Sequence, residues 1–174
     1  MLAKSKEQRV EVLIDVQNLY YSARNLYGAK VNFKEVLRQG ISGRKFIRAF
    51  GYVVRTKTGE EQPFFDALSK LGIETRIRDL QEFYGGAKKA DWDVGIVIDA
   101  IRTSSGLDVI VLCSGDGDFI SLVEYLKNQG KRVEVVAFGK TTSSKLKEIA
   151  DEFIDLDQDT NKFLLSNKKG KADE

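Results

Sequence analysis

The sequence has no histidine, one cysteine (Cys113) and one proline (Pro63). Without histidine, Ser-His-Asp and Cys-His catalysis, imidazole acid–base chemistry and His-bearing zinc sites are all excluded. A lone cysteine excludes an intramolecular disulfide framework and a CxxC redox pair, and fits a reducing, cytoplasmic interior. No apolar stretch is long enough for a signal peptide or a membrane span, and Met1 opens onto Lys4, Lys6, Glu7 and Arg9. The scarcity of proline beside dense apolar runs argues against a disordered chain, and no solenoid-length repeat or low-complexity tract is visible. Excess charge of one sign is missing too: 28 Lys and Arg face 26 Asp and Glu, so any polyanion must be held by local patches. Hard chemistry is left to carboxylates, hydroxyls and lysine.

What is present, 174 residues with 42% hydrophobic content, suffices for one domain with a sizeable core. Val10, Val12, Leu13 and Ile14 read as a strand buried on both faces that stops at Asp15. Asn18 to Tyr27 reads as a helix ending near Gly28, and Asn32 followed by Glu35 resembles a capping box for a second helix. Lys45 to Val54 is a strand, Pro63 to Leu71 a helix with Gly72 beyond it, and Ile73 to Arg78 another strand. Trp92 to Arg102 is an apolar helix that Asp91 could cap. Val109 to Leu112 is the clearest buried strand and runs into Ser114-Gly115-Asp116-Gly117-Asp118-Phe119. A helix from Phe119 to Asn128, a strand from Val133 to Phe138, a helix from Ser143 to Ala150 and a short edge strand at Phe153 to Leu156 complete the pattern. Regular alternation of strand and helix predicts an α/β fold: a central, mostly parallel sheet of five to six strands with helices on both faces.

In such sheets the ligand crevice lies at the carboxyl ends of the strands, where strand order reverses. Asp15 ends one predicted strand, and Asp116 and Asp118 follow another after a Ser-Gly step. If the two strands are neighbours, three short carboxylates share a crevice, with Gly115 and Gly117 permitting a sharp approach. Carboxylates so close repel until one takes a proton or a cation intervenes. With no histidine and no thiolate pair, the expected metal is Mg²⁺ or Mn²⁺, docking a phosphate oxygen. Asp at a strand end is also a common turn and cap residue, and Asp118 could simply cap the helix that follows. The coincidence of strand-terminal carboxylates on two buried strands favours a site. Asp93 and Asp99, six apart on the next helix, point roughly 120° away from each other. Asp93 is expected at an irregular first turn within reach of the metal, and Asp99 at the pocket wall or in a supporting contact. Asp91 and Asp93 could also serve only the helix dipole.

Asp15-Val16-Gln17-Asn18, the lysine-preceded Asp93 with Asp99 six later, the SGDGDF string at Ser114 to Phe119, and Gly130-Lys131-Arg132-Val133-Glu134-Val135 together resemble the NYN-domain family, in its LabA-like branch. The resemblance runs from about Val10 to Leu156. It divides the chain into a lead-in (1–9), one domain (10–157) and a lysine-containing tail (158–174). It implies a Rossmann-like, PIN-type fold and, for active members, metal-dependent RNA cleavage centred on Asp15, Asn18, Asp93, Asp116 and Asp118. Asn18 would hydrogen-bond a metal-held water or a phosphate, the four aspartates would be the ligands, and Asp91, Asp99 and Ser114 would support them. One departure is Asp91-Trp92-Asp93, where glycine and a small apolar residue are more usual, which leaves open which of the two acids coordinates.

Arg44, Lys45, Arg48, Arg55 and Lys57 fall within fourteen residues without an acid among them, and Lys88 and Lys89 precede the acidic helix. Of these, Arg55, Lys57, Lys88 and Lys89 sit in predicted loops and are the better candidates for phosphate. Tyr20, Tyr21, Phe83 and Tyr84 could stack on unpaired bases. The leading expectation is therefore a ribonuclease, endonucleolytic, acting on single-stranded or structured RNA. The alternative is a regulatory module that binds RNA or protein without turnover, with self-association left open. Other phosphoryl-transfer sites fit less well: Gln17 stands where a HAD-type phosphatase needs its second Asp, and Asp15 where a TOPRIM site needs Glu. No GxGxxG follows the first strand, which weakens a dinucleotide-binding role.

Overall fold

The computed structural model describes residues 4–82, 88–89 and 91–166. The first apolar run forms β1 (Arg9–Asp15), with Val10, Val12 and Ile14 packed on one face of the sheet and Leu13 on the other. Helix α1 (Val16–Tyr27) follows without a loop, because the Asp15 carboxylate caps it by accepting the Asn18 N–H at 3.3 Å. Gly28 ends it at φ 58°, a left-handed conformation that L side chains adopt only under strain. The chain continues through β2 (Lys30–Val31), α2 (Phe33–Ile41), β3 (Lys45–Arg55), α3 (Gln62–Lys70) and β4 (Ile73–Asp79). Asn32 caps α2 through the Glu35 N–H, and Pro63 sits in the first turn of α3, as the sequence signals suggest. After a small antiparallel pair, β5 (Gln81–Glu82) with β6 (Lys88–Lys89), come α4 (Asp93–Thr103), β7 (Val109–Cys113), α5 (Ile120–Asn128), β8 (Arg132–Ala137), α6 (Ser144–Ile149) and β9 (Glu152–Asp155). The last elements are α7 (Thr160–Phe163) and β10 (Leu164–Leu165).

Six strands form one sheet in the order β4-β3-β1-β7-β8-β9, and every pairing is parallel. The expected α/β architecture is present, with β9 at one edge and β4 at the other. One core lies between the sheet and α1, α2, α3 and α7; the other lies between the sheet and α4, α5 and α6. From β1 the chain steps to β3 and β4 on one side, then returns to lay β7 on the other side of β1. Strand order therefore reverses between β1 and β7, and their carboxyl ends frame the crevice.

Some details depart from the sequence reading. The cap position of α4 is Trp92, whose side chain makes no capping hydrogen bond, so Asp91 is not its cap. Asp118 caps nothing: it lies inside a 3-10 turn, Gly117–Phe119, that Asp116 caps by accepting the Asp118 N–H at 2.9 Å. The expected tail begins too early. Leu164 and Leu165 pair antiparallel with Val31 and Lys30, Asn32 N–H donates to the Phe163 carbonyl at 2.7 Å, and Phe163 is buried in the first core. Three consecutive large apolar side chains give this stretch enough area to bury against β2 and α2, despite the lysines around it.

Two strands carry buried charge. Glu134 on β8 accepts from both terminal guanidinium nitrogens of Arg44 at 2.8 Å, in a pair whose side chains are 0% and 1% exposed, and Arg132 Nε donates to it as well. Burial alone would raise the Glu134 carboxyl, but the hydrogen bonds from Arg44 and Arg132 outweigh it and hold the group below its ordinary range. Glu11 on β1 is also fully buried; the Thr103 hydroxyl donates to one oxygen at 2.7 Å and the other has no hydrogen-bond partner among the described residues. No helix among the described residues is long and apolar enough to cross a membrane.

Candidate metal centre

The parallel register pairs Ile14 with Cys113, so Asp15 and Ser114 leave adjacent strands side by side at the switch point. Ser114 is fully buried and links the two segments: its hydroxyl donates to Asp15 Oδ2 at 2.9 Å and accepts the Asp116 N–H at 3.3 Å. Asn18 ties the same two segments a second time, its side-chain oxygen accepting the Gly115 N–H at 3.0 Å. A Cβ on Gly115 would stand 2.6 Å from Thr142 Oγ1 and 3.0 Å from its Cα, so glycine is needed there for close approach rather than for an unusual backbone angle.

Helix α4 supplies the third segment. Its start is pinned by Trp92, whose indole N–H donates to the Val53 carbonyl at 2.9 Å and whose ring lies beneath the Arg78 guanidinium. Arg78 also donates to the Asp91 carbonyl at 2.7 Å. The next residue, Asp93, faces the loop after β7. One carboxylate oxygen from each of Asp93, Asp116 and Asp118 lies within 4.8 Å of the others. Asp15, Asn18 and Asp91 line the same cleft of about 530 Å³, together with Gln17, Ser22 and Asn25.

Charge crowding marks this cleft. Burial, then the charges of Asp116, Asp15, Asp91 and Asp118, push the Asp93 carboxyl up to about 6. Burial also raises Asp15, with the Ser114 hydroxyl and the Asn18 amide acting against it. A set of oxygen-only donors that repel one another suits a hard divalent cation, whose charge removes the repulsion.

The compact trio is thus Asp93, Asp116 and Asp118; Asp15 stands beside it, tied to Ser114. Asp91 lines the cleft but is not in the trio. Asp99 does not line the cleft: it accepts the Tyr52 hydroxyl at 2.9 Å, pairs with Arg76 at 3.3 Å, and fastens α4 to the sheet. The divergence of Asp93 and Asp99 around the helix explains their separation.

The basic residues do not form one patch. Lys45 and Arg55 begin and end β3, roughly 33 Å apart at strand rise. Arg44 is inside the protein with Glu134, Lys45 meets Glu7, Arg48 meets Glu74, and Arg55 meets Asp79. Arg55 and Lys57 are exposed near the carboxyl end of β3, on the side of the cleft. Lys88 and Lys89 form β6, while Phe83 and Tyr84 lie outside the described residues. Tyr20 and Tyr21 are 37% and 51% exposed on α1, their rings edge to face. Sequence reasoning missed Gln17, Ser22 and Asn25; the spacing of Asn18, Ser22 and Asn25 along one helical face was the available signal.

A doubly flanked parallel sheet with a carboxylate cleft at its switch point defines an α/β protein with an acidic site that could hold a hard cation. The sequence matches the NYN domain family over residues 9–157, and the chain belongs to that family. It is 29% identical over 167 residues to the Low amplitude and bright protein LabA of Synechococcus elongatus, covering 91% of this chain and 89% of the relative. A solved structure of a Vibrio parahaemolyticus protein of unknown function superposes with a TM-score of 0.83 at 31% identity, covering 94% of this chain and all of that one.

Proposed function

We propose that the protein is a metal-dependent ribonuclease that cuts RNA internally. The observation that carries this reading is the convergence of Asp93, Asp116 and Asp118 within 4.8 Å at the switch point of an NYN-family fold. A Mg²⁺ or Mn²⁺ ion held by these three carboxylates would supply neutralising charge for a phosphodiester oxygen and acidity for an attacking water.

The chain's own residues would do the positioning. Asp15 adds negative potential and orients the Ser114 hydroxyl, which in turn fixes the Asp116 amide. Asn18 holds Gly115, and Asp15, the cap of α1, holds Ser114, so the turn carrying Asp116 and Asp118 is fastened to the start of α1 at two points. Tyr20 and Tyr21 offer faces for unpaired bases, and Arg55, Lys57, Lys88 and Lys89 are the candidates to meet flanking phosphates.

The test is cleavage of end-labelled and circular RNA by the purified chain with Mn²⁺ or Mg²⁺ against EDTA. Cleavage of both substrates is expected with metal, and Asp116→Asn should abolish it while the circular dichroism spectrum is unchanged. Full-rate cleavage by that variant would overturn the assignment, and salt-sensitive RNA binding without product would support a binding module instead.

A further inference from the structure

Gln17 and Tyr21, which line the carboxylate cleft, also line a second cavity of about 440 Å³ on their other side. Its walls are mainly apolar and aromatic, and its volume lies in the roughly 300–1,000 Å³ range of small-ligand pockets. The rings of Phe33 and Phe64 stand 5.7 Å apart in the wall, and Tyr20, Tyr21 and Phe64 are 36–51% exposed at it. Aromatic faces of this kind hold bases by stacking.

One polar feature of the wall is unsatisfied. Glu61 Oε1 accepts both the amide and the hydroxyl of Thr56, whereas Oε2 is buried and has no hydrogen-bond partner among the described residues. The Thr56 hydroxyl, then Glu61's own backbone N–H, hold this carboxyl below its ordinary range, so both oxygens act only as acceptors at neutral pH. A buried acceptor calls for a donor.

We propose that this cavity is a nucleobase subsite, taking an amino-bearing base of a single-stranded RNA whose backbone passes Tyr21 into the carboxylate cleft. The inference rests on the nuclease reading for its substrate and adds a preference to it. Adenine, cytosine and guanine each carry an exocyclic amine that could donate to the Glu61 carboxylate, Oε2 becoming reachable from the cavity with a small movement of that side chain. Uracil has none, and its ring N–H is flanked by two carbonyl oxygens that would face the carboxylate. Lys30, also in the wall, is placed to meet a neighbouring phosphate.

The experiment is fluorescence anisotropy of labelled oligoadenylate and oligouridylate with the full chain in EDTA, so that no turnover is needed. Oligoadenylate should bind about tenfold more tightly, the size of one charge-assisted hydrogen bond. In Glu61→Gln the Thr56 amide holds the side-chain oxygen, so an NH₂ group replaces Oε2 and the preference should vanish or invert. Val54→Trp, which fills the cavity from a half-buried position at the end of β3, should weaken oligoadenylate binding by about tenfold through lost stacking. Equal binding of the two oligomers, no binding of either, or an unchanged ratio in Glu61→Gln would overturn the subsite. Metal-dependent cleavage alongside any of those results leaves the nuclease reading standing. A base preference without cleavage sinks the nuclease reading and keeps the subsite.

Discussion

Neutralising Asp93 should make the metal-free protein more stable. At the 4.8 Å limit separating the carboxylate oxygens, each pair of unit charges repels by at least about 0.9 kcal/mol even at the dielectric constant of water. Asp93→Asn removes two of the three repulsions in the trio. Salt and partial exposure weaken them, so roughly 1–2 kcal/mol should be gained, or about 3–6 °C in Tm for a chain of this length. The sign agrees with the raised Asp93 carboxyl: the folded protein resists ionising it, so the cost is absent well below about pH 4 and present above about 6. The assay is thermal unfolding at neutral pH in EDTA, repeated with Mn²⁺. In wild type, Mn²⁺ binding to the folded state should raise Tm with concentration. In Asp93→Asn the EDTA value should start higher and the Mn²⁺ response should shrink or disappear. A variant less stable than wild type in EDTA, or one with an undiminished Mn²⁺ response, would refute the idea that these carboxylates are crowded for the sake of a cation.

Three further outcomes follow from contacts already described. Burial raises the Glu11 carboxyl to about 7, with the Thr103 hydroxyl partly opposing it, so its ionisation costs nothing below about 4.5 and up to roughly 3 kcal/mol above 7. Glu11→Gln should therefore raise stability in urea melts at alkaline pH and leave it nearly unchanged at acidic pH; an equal shift at both would count against this. Arg44→Met leaves Glu134 buried with Arg132 as its remaining guanidinium and should cost about 3–5 kcal/mol, while adding Glu134→Leu should recover much of the loss. Ser114→Ala should lower Mn²⁺ affinity, measured by calorimetry, about 10–100-fold by releasing the Asp15 and Asp116 segments from each other, and unchanged affinity would deny Ser114 a positioning role.

The sheet was legible because its central strands are continuous apolar runs, and a run such as Val109 to Leu112 has little choice but a buried parallel position. The location of the cleft followed from two of those runs ending in aspartate. Short elements were not legible: β2 and β10 have two residues each and exist only because Val31 and Leu164, far apart in sequence, meet. Nor was the fate of Asp99, since helical geometry separates it from Asp93 but does not reveal that Tyr52 and Arg76 await it. The five cations around β3 looked like a patch in sequence because a linear count ignores strand length and interior partners. Glu11 and Glu134, each flanked by valines, were visible as interruptions; what each would meet in the interior was not.

The antiparallel contact between β10 and β2 reaches beyond tidiness at the carboxyl terminus. Lys30, Val31 and Leu165 all line the aromatic cavity, whereas none of them touches the aspartate cleft. A shortened protein ending where the family match stops, at residue 157, would keep every strand of the main sheet and all four acids of the centre. It would nonetheless lose Leu165 from the wall of the chamber next door, and with it the strand that pairs with Lys30 and Val31. Trimming of this kind offers a way to test the proposed base subsite apart from the proposed cleavage within a single polypeptide.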